Sequence, residues 1–286
     1  SSINGMVYMR GSPQDYDDWA KDGCTGWGWD RIGAQYLKLE DHVLGADTWR
    51  GVGGPLKISQ SPRGNPLCQA ILNASRELGV PEVEDVNDTK VVADQGMGYQ
   101  PITTYRGKRF SAARAFLDPV RNRPNLDILT GVRAEKVLFN GKRANGLKLS
   151  DRTVECRGEI ILSAGAVESP KLLELSGIGD SERLKALGIA PIVHSPLVGE
   201  NLREHRYVAM DWRVTGESSN QKLQGLGLLA SVLRYFLFSK GPMTDAAHEV
   251  GGFIKTRPGL DRPDAQIGSM LVTMGVNDKG QVQLDS

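Results

Sequence analysis

Residues 159–179, EIILSAGAVESPKLLELSGIG, constrain the fold of this chain more than any other stretch. Glu159-Ile160-Ile161-Leu162 predicts a buried strand. Ser163, Ala164, Gly165 and Ala166 follow, small enough for the backbone to pack on another backbone or on a flat ligand. Ser169-Pro170 has the sequence of a helix start, serine as N-cap and proline as first helical residue. Leu172, Leu173 and Ser176 give that helix an apolar side, and Gly177-Ile178-Gly179 ends it. Strand, turn and helix N-terminus would give a cofactor a place to rest. Taken alone, the stretch reads first as an ordinary strand-to-helix connection.

The rest of the chain bounds what can surround that stretch. With 286 residues there is length for one large domain or two interleaved ones. The 35 basic and 34 acidic residues nearly cancel, which argues against a nucleic acid or a membrane surface held by bulk charge. No apolar run approaches the roughly 18 residues of a transmembrane helix, while peripheral membrane association stays open. Cys24, Cys68 and Cys156 are odd in number and far apart, which suits a reducing, cytoplasmic location without a disulfide framework or a zinc site. The sequence opens at Ser1 with neither start methionine nor signal peptide and stops at 281–286 on an alternating pattern, a strand cut short. It reads as a piece of a longer polypeptide.

In chain order, Asn4-Gly5 is a turn that a ligand could approach, or simply a capped turn. Short helices are predicted over 15–22 and 31–40, separated by the aromatic turn 26–30. A strand at 56–58 precedes the clearest helix, which Asn65-Pro66 starts and Gly79 closes, with Leu67, Ala70, Ile71, Ala74 and Leu78 as its apolar face. Residues 81–99 are polar and punctuated by glycine, the pattern of a long functional loop or lid. A helix over 111–120 leads to a strand at 126–129. A meander follows over 132–139, 144–149 and 153–156, with Asn140-Gly141 as its hairpin signal. Beyond the opening stretch come a small helix at 181–187, a loop at 198–202, a strand at 208–214, an apolar helix at 223–238 and a strand at 266–274.

Few residues announce chemistry by type and spacing. Gly225-Leu226-Gly227-Leu228-Leu229-Ala230 matches a dinucleotide-binding pattern in letters only. No strand precedes it and no acidic residue follows at the required distance, so its glycines read as the start of a helix. His42, His194, His205 and His248 lack partners that would mark a catalytic base and read as structural or surface residues. His248 and Glu249 could face a substrate pocket, although a solvated loop is the simpler reading. Nucleophile elbow, clustered metal ligands and Walker loop are all absent from the sequence.

Several stretches together resemble the glucose–methanol–choline (GMC) family of FAD-dependent oxidoreductases, nearest its choline and alcohol dehydrogenase branch. Residues 165–179, GAVESPKLLELSGIG, look like the family's second signature, and the first residues, with Asn4, Tyr8, Gly11 and Asp17, look like the tail of the first. DYDDWA at 15–20, FSAARAFLDPV at 110–120, RPNLDILTG at 123–131 and VGENL at 198–202 follow in the family's order along essentially the whole chain.

The resemblance implies a mixed α/β and α+β fold in which an FAD-binding domain interleaves with an antiparallel-sheet substrate domain, incomplete at both ends. The FAD domain would take 1–54 with its connecting helices and 110–205, and the substrate domain 55–109 and 206–286. It implies FAD contacts at Ser2, Asn4, Gly5, Met6, Ala134, Ala164 and Gly165, with the backbone at Ala134 facing the adenine end. It also implies a small alcohol as substrate, oxidised to an aldehyde by hydride transfer to the flavin. The electron acceptor is undetermined by these residues, and an oxygen-using oxidase is the variant reading. The family's Gly-x-Gly-x-x-Gly turn is expected upstream of Ser1 and its catalytic histidine beyond Ser286. The alternative is therefore a non-catalytic truncated chain that binds FAD weakly or not at all. Glu204 departs from the aspartate that the family usually places before the histidine matching His205.

Overall fold

The computed structural model describes residues 4–212, 214, 219–244, 248–276 and 282–284. The chain forms two compact units, Ser1–Arg123 with Asp211–Ser286, and Pro124–Met210.

In the first unit, α1 (Pro13–Lys21) starts at its proline, where Asp15 reaches back to accept from the Ser12 amide at 2.8 Å. Helix α2 (Trp29–Leu39) starts two residues earlier than periodicity suggests, because Asp17 accepts from the Trp29 amide at 2.9 Å. The two helices meet through Tyr16, Trp29 and Tyr36, with the two tyrosine hydroxyls 2.8 Å apart. Strand β1 (Glu40–His42) then pairs in parallel with β2 (Leu56–Gln60).

Helix α3 (Pro66–Glu77) has the predicted cap, Asn65 accepting from the Leu67 amide at 3.0 Å. Its buried face is not the predicted one. Cys68 and Leu72 enter the core with Leu67 and Ile71 beside them, whereas Ala70, Ala74 and Leu78 are exposed. The face is turned by about one residue step, because the small residues sit on the solvent side.

The predicted lid over 81–99 is in part interior structure. It holds α4 (Thr89–Ala93) and the fully buried strand β3 (Gly96–Tyr99), and Asp85, Val86 and Asn87 are buried before them. Its polar residues misled the reading because they bond inward to Arg10 and Arg50. The short strands β4 (Pro101–Ile102), β5 (Thr104–Tyr105) and β6 (Lys108–Arg109) follow, β4 joining β2 and the other two forming a hairpin. The predicted helix over 111–120 is a wide π-type turn, Ala113–Leu117, followed by a 3-10 turn, Asp118–Val120.

The second unit begins without its predicted strand at 126–129, which finds no partner in any ladder of the described residues. The meander follows as β7 (Ala134–Asn140), β8 (Arg143–Leu149) and β9 (Thr153–Glu155), antiparallel in that order. The loop of β7–β8 is two residues, with Gly141 at φ +60° in its first position. Helix α5 (Gly165–Leu175) packs on β7. Strand β10 (Ile178–Gly179), α6 (Ser181–Ala186) and β11 (Val193–His194) make a small parallel unit over Leu184. The ordered look of VGENL has a cause. Arg183 of α6 pairs with Glu174 and Glu200 and donates to the Val198 carbonyl at 3.2 Å.

The predicted strand over 208–214, which runs from the second unit back into the first, is unpaired through its described residues, with Val208, Met210 and Trp212 exposed; Arg213 lies outside them. Helices α7 (Ser219–Lys222) and α8 (Gly225–Phe238) follow. Strand β12 (Val250–Ile254) lies between β3 and β13 (Ala265–Ser269), antiparallel to both, over the core of Cys68, Leu72, Met97, Tyr99, Val250 and Leu271. The single strand predicted at 266–274 is two, β13 and β14 (Met274–Val276), the latter paired with β15 (Val282–Leu284). Among the described residues no helix is long and apolar enough to cross a membrane.

Candidate cofactor site

The opening stretch folds differently from its local signals. Residues 159–162 form no strand and pair with none among the described residues, and Ile161 is 82% exposed. A strand exists through its ladder, and the apolar run alone does not supply one. Helix α5 begins at Gly165, with Pro170 inside it, so Ser169 is not the N-cap. Gly165 makes the early start feasible, since its φ of +95° turns the chain sharply into the helix. Ser169 still serves the helix end, its Oγ accepting from the Ala164 amide at 3.0 Å. Pro170 has no amide hydrogen to offer the carbonyl one turn back.

One buried serine sets the distance between α5 and β7. The Ser176 Oγ accepts from the Val137 amide at 2.8 Å and donates to the Leu172 carbonyl at 2.5 Å. Above this staple a cavity of about 620 Å³ opens, and Ala134 and Ala164 both line it. Two predicted FAD residues, 30 positions apart in sequence, thus share one cleft; Gly165 follows Ala164 in the chain and is not itself among the lining residues. Strand β7 is the edge of its sheet, so backbone groups near Ala134 face the cleft side without a strand partner. The amino end of α5 adds amides and a partial positive charge. Lys171 is paired with Glu168 at 3.2 Å and Glu135 with Lys148 at 3.2 Å, while Arg133 makes no ion pair among the described residues. Edge backbone, helix amino end and an uncommitted guanidinium fit part of a dinucleotide, and the volume lies within the ~300–1,000 Å³ usual for ligand pockets. A Cβ built on Gly165 meets nothing within 4 Å, so the turn has open space beside it.

Asn4, Gly5 and Met6 form a turn of their own in the first unit, and Ser2 lies outside the described residues. Asn4 Oδ1 accepts from the Met6 amide at 3.1 Å, and Met6 has φ +67°, a left-handed conformation that costs a non-glycine residue roughly 1–3 kcal/mol. The surrounding structure enforces it. Thr103 donates its amide to the Met6 carbonyl at 2.8 Å and its hydroxyl at 3.2 Å, and the Tyr8 amide donates to Pro101 at 2.8 Å.

A buried polar cluster anchors that turn, and sequence reasoning missed it. Arg10 bonds Glu40, which is 0% exposed, and donates to the Trp49 carbonyl at 2.5 Å. Tyr8 donates to the same carboxylate at 2.6 Å, and the Gly51 amide reaches its other oxygen at 3.1 Å. Asn87 accepts from the Arg10 amide at 2.9 Å and donates to the Tyr8 carbonyl at 2.8 Å. Burial first and the Glu40 charge second push the Tyr8 phenol up, so it stays a donor at any ordinary pH. Glu40 carried no signal, standing at the predicted end of a helix 30 residues from Arg10.

The histidines take structural places. His42 is buried, its Nδ1 accepting from the Leu44 amide at 3.2 Å, and desolvation lowers its pKa. His194 Nδ1 meets the Ser181 amide at 3.2 Å, and the backbone amide of His205 donates to Glu204 at 2.8 Å. None of the four lines the cleft. His248 and Glu249 are not a solvated loop. Glu249 is 6% exposed, its carbonyl accepts from the Gln100 amide at 2.9 Å, and burial lowers the pKa of His248. The glycine motif at 225–230 is the start of α8, where a Cβ on Gly227 would stand 2.6 Å from the Gln221 carbonyl.

Comparison with known proteins identifies the family. The family model described as GMC oxidoreductase matches residues 1–207. Mitochondrial choline dehydrogenase of Mus musculus is 38% identical over 93% of this chain and 45% of its own length. Oxygen-dependent choline dehydrogenase of Brucella anthropi is 36% identical over 99% of this chain and 52% of its own. Among solved structures, an FAD-dependent oxidoreductase from Chaetomium thermophilum superposes with a TM-score of 0.76 at 29% identity, over 88% of this chain and 47% of that one. The chain spans about half the length of the curated relatives it matches.

Proposed function

The chain belongs to the GMC oxidoreductase family, and on that footing we propose that it is the central part of an FAD-dependent enzyme oxidising a primary alcohol, choline or a similar one, to its aldehyde. The cleft between β7 and α5 carries the proposal, because it places Ala134 and Ala164 on one cavity. Bound FAD would supply the two-electron acceptor for the substrate's hydride. In this reading Ala134, Ala164 and Gly165 hold the cofactor's adenine side through backbone groups, with Arg133 as a nearby cation. Asn4, Gly5 and Met6 offer the flavin side a rigid, pre-shaped turn, and Ser2 belongs with them. The four-segment division is part of the same proposal: 1–54 and 110–205 for FAD, 55–109 and 206–286 for substrate. A cytoplasmic location accords with three cysteines, Cys24, Cys68 and Cys156, that form no disulfide among the described residues.

The test is turnover of choline and simple primary alcohols by the full gene product, with oxygen and with an artificial acceptor in parallel. Flavin bleaching by one of these alcohols is expected, and bleaching by none of them sinks the proposal. One observation favours a second reading for the 286-residue chain by itself, that it holds FAD weakly: residues 159–162 lack a strand partner among the described residues. Titrating the chain with FAD separates the two. Gly165→Ala, which puts a Cβ on a residue at φ +95°, should weaken whatever flavin binding is seen.

A further inference from the structure

We propose that a file of tyrosine and tryptophan rings in the first unit carries single electrons between the turn at 4–6 and the protein surface. Its link to the flavin, though not the conduction itself, rests on the function proposed above. The rings follow one another closely. Tyr8 lies 6.4 Å, centroid to centroid, from Tyr36, and Tyr36 lies 6.3 Å from Tyr16. Tyr16 lies 5.4 Å from Trp19, which lies 6.2 Å from Trp27. Trp29 stands beside the middle of the file, 5.5 Å from Tyr16 and 6.3 Å from Tyr36. Tyr8 is two residues beyond Met6, whereas Trp19 and Trp27 are 49% and 54% exposed. Packing accounts for the inner rings but not for two tryptophans left half in water. Composition points the same way. The chain has six phenylalanines and none stands in the file, so every ring in it is of a type that can give up an electron.

Each end also has somewhere to leave a proton. A phenol that loses an electron becomes a strong acid, and Tyr8 donates to the Glu40 carboxylate at 2.6 Å, so the proton crosses one hydrogen bond as the electron leaves. Water takes the indole proton of an oxidised Trp19 or Trp27. The middle offers neither. The Tyr16 and Tyr36 hydroxyls bond to each other at 2.8 Å, and the Arg10 guanidinium stands 4.8 Å from the Tyr36 centroid, a cation that opposes positive charge on that ring. An electron vacancy therefore crosses the middle and rests at the ends. In use, one electron leaves Tyr8 for a strong one-electron oxidant at the 4–6 turn, such as light-excited flavin, and the vacancy moves outward. A soluble thiol or ascorbate is then oxidised at Trp19 or Trp27, and Glu40 returns the proton to Tyr8.

Pulse radiolysis of the 286-residue chain without flavin tests the conduction. Azidyl radicals oxidise exposed tryptophan, and the tryptophanyl absorption is expected to give way to tyrosyl absorption at a rate independent of protein concentration. Every protein compared carries Trp212→Phe, because Trp212 is 77% exposed and stands outside the file. Among the described residues Tyr16 alone joins the outer pair to the inner rings, so Tyr16→Phe should remove most of this phase. Trp19→Phe with Trp27→Phe should do the same through exposed side chains, which keeps the test sound if the interior change unfolds the protein. No transfer in the parent, or a transfer that survives both changes, overturns the proposal. In the flavin-loaded full gene product, blue light with ascorbate should bleach the flavin severalfold more slowly once Tyr16→Phe is made. Conduction without that slowing overturns the link to the flavin. A full gene product that holds no flavin overturns the function proposed above and leaves the radiolysis to decide the file.

Discussion

The two turns proposed to hold FAD, 4–6 at its flavin side and 164–165 at its adenine side, are built in opposite ways. Met6 is held in a left-handed conformation by Asn4 and by two bonds from Thr103, and four residues on stands the buried Arg10–Glu40 pair. Gly165 adopts its positive φ with nothing within 4 Å of where a Cβ would lie, and the chain leading to it pairs with no strand among the described residues. The first turn is shaped before any ligand arrives, and the strain is met by a polar cluster. The second is left to be shaped by what fills the cleft. Pre-organisation and adaptability are therefore assigned to different proposed cofactor contacts.

The sharpest way to break that contrast is Arg10→Ala. It leaves Glu40 buried with an uncompensated charge, a loss of about 3–5 kcal/mol where a buried pair is broken. Urea unfolding followed by tryptophan fluorescence measures it as a lower midpoint at unchanged slope. Arg10→Lys should fall between, since an ammonium lacks the guanidinium's second reach to the Trp49 carbonyl. A loss below about 1 kcal/mol, the scale of a surface pair, would mean that the first turn is held by its own local bonds.

Ser176→Ala is the matching experiment in the other unit. It removes the acceptor for the Val137 amide, and an unsatisfied buried donor costs about 1–3 kcal/mol. Because the same serine spaces α5 from β7, FAD added to the variant should raise its melting temperature less than it raises that of the wild type. Equal shifts in the two proteins would separate the staple from the cleft.

What the sequence disclosed follows the range of the interactions involved. Asn65-Pro66 and the loop after Asn140 were legible because a cap and a two-residue hairpin are decided within a few residues. Ser169-Pro170 carried the same cap signal and failed, since a glycine four residues earlier lets the helix begin sooner. Residues 85–87 look like a lid until Arg10 and Arg50 are placed beside them, and no local pattern places them. Of the site, Ala134 and Ala164 came from family resemblance, and their common cleft needed coordinates. Ser176 was legible only as one more position on an apolar face.

The smallest expected effect is a pH dependence, and it probes the same buried cluster. Burial is the largest influence on His42, ahead of the opposing pulls of Asp85 and Glu40, and it holds the imidazole's pKa below its ordinary value, with Arg50 and Arg10 pushing the same way. The sign follows from where the proton goes. Below the unfolded pKa of about 6.5 the unfolded chain takes up a proton that the native His42 refuses, so stability is full above that pH and declines as pH falls through the folded pKa. His248, also lowered by burial, acts in the same direction, so His42→Gln should flatten part of the slope and a second change at His248 the rest. The lowered carboxylates Asp41, Asp180 and Asp264 lose their contribution only under about pH 4, which keeps the two windows apart. Urea midpoints between about pH 7 and pH 5 read the difference. A slope that His42→Gln steepens would mean the native imidazole is charged against Asp85. The cluster beside the first turn would then be held by more ionic pairing than Arg10 and Glu40 provide, and the contrast with the open second turn would be wider.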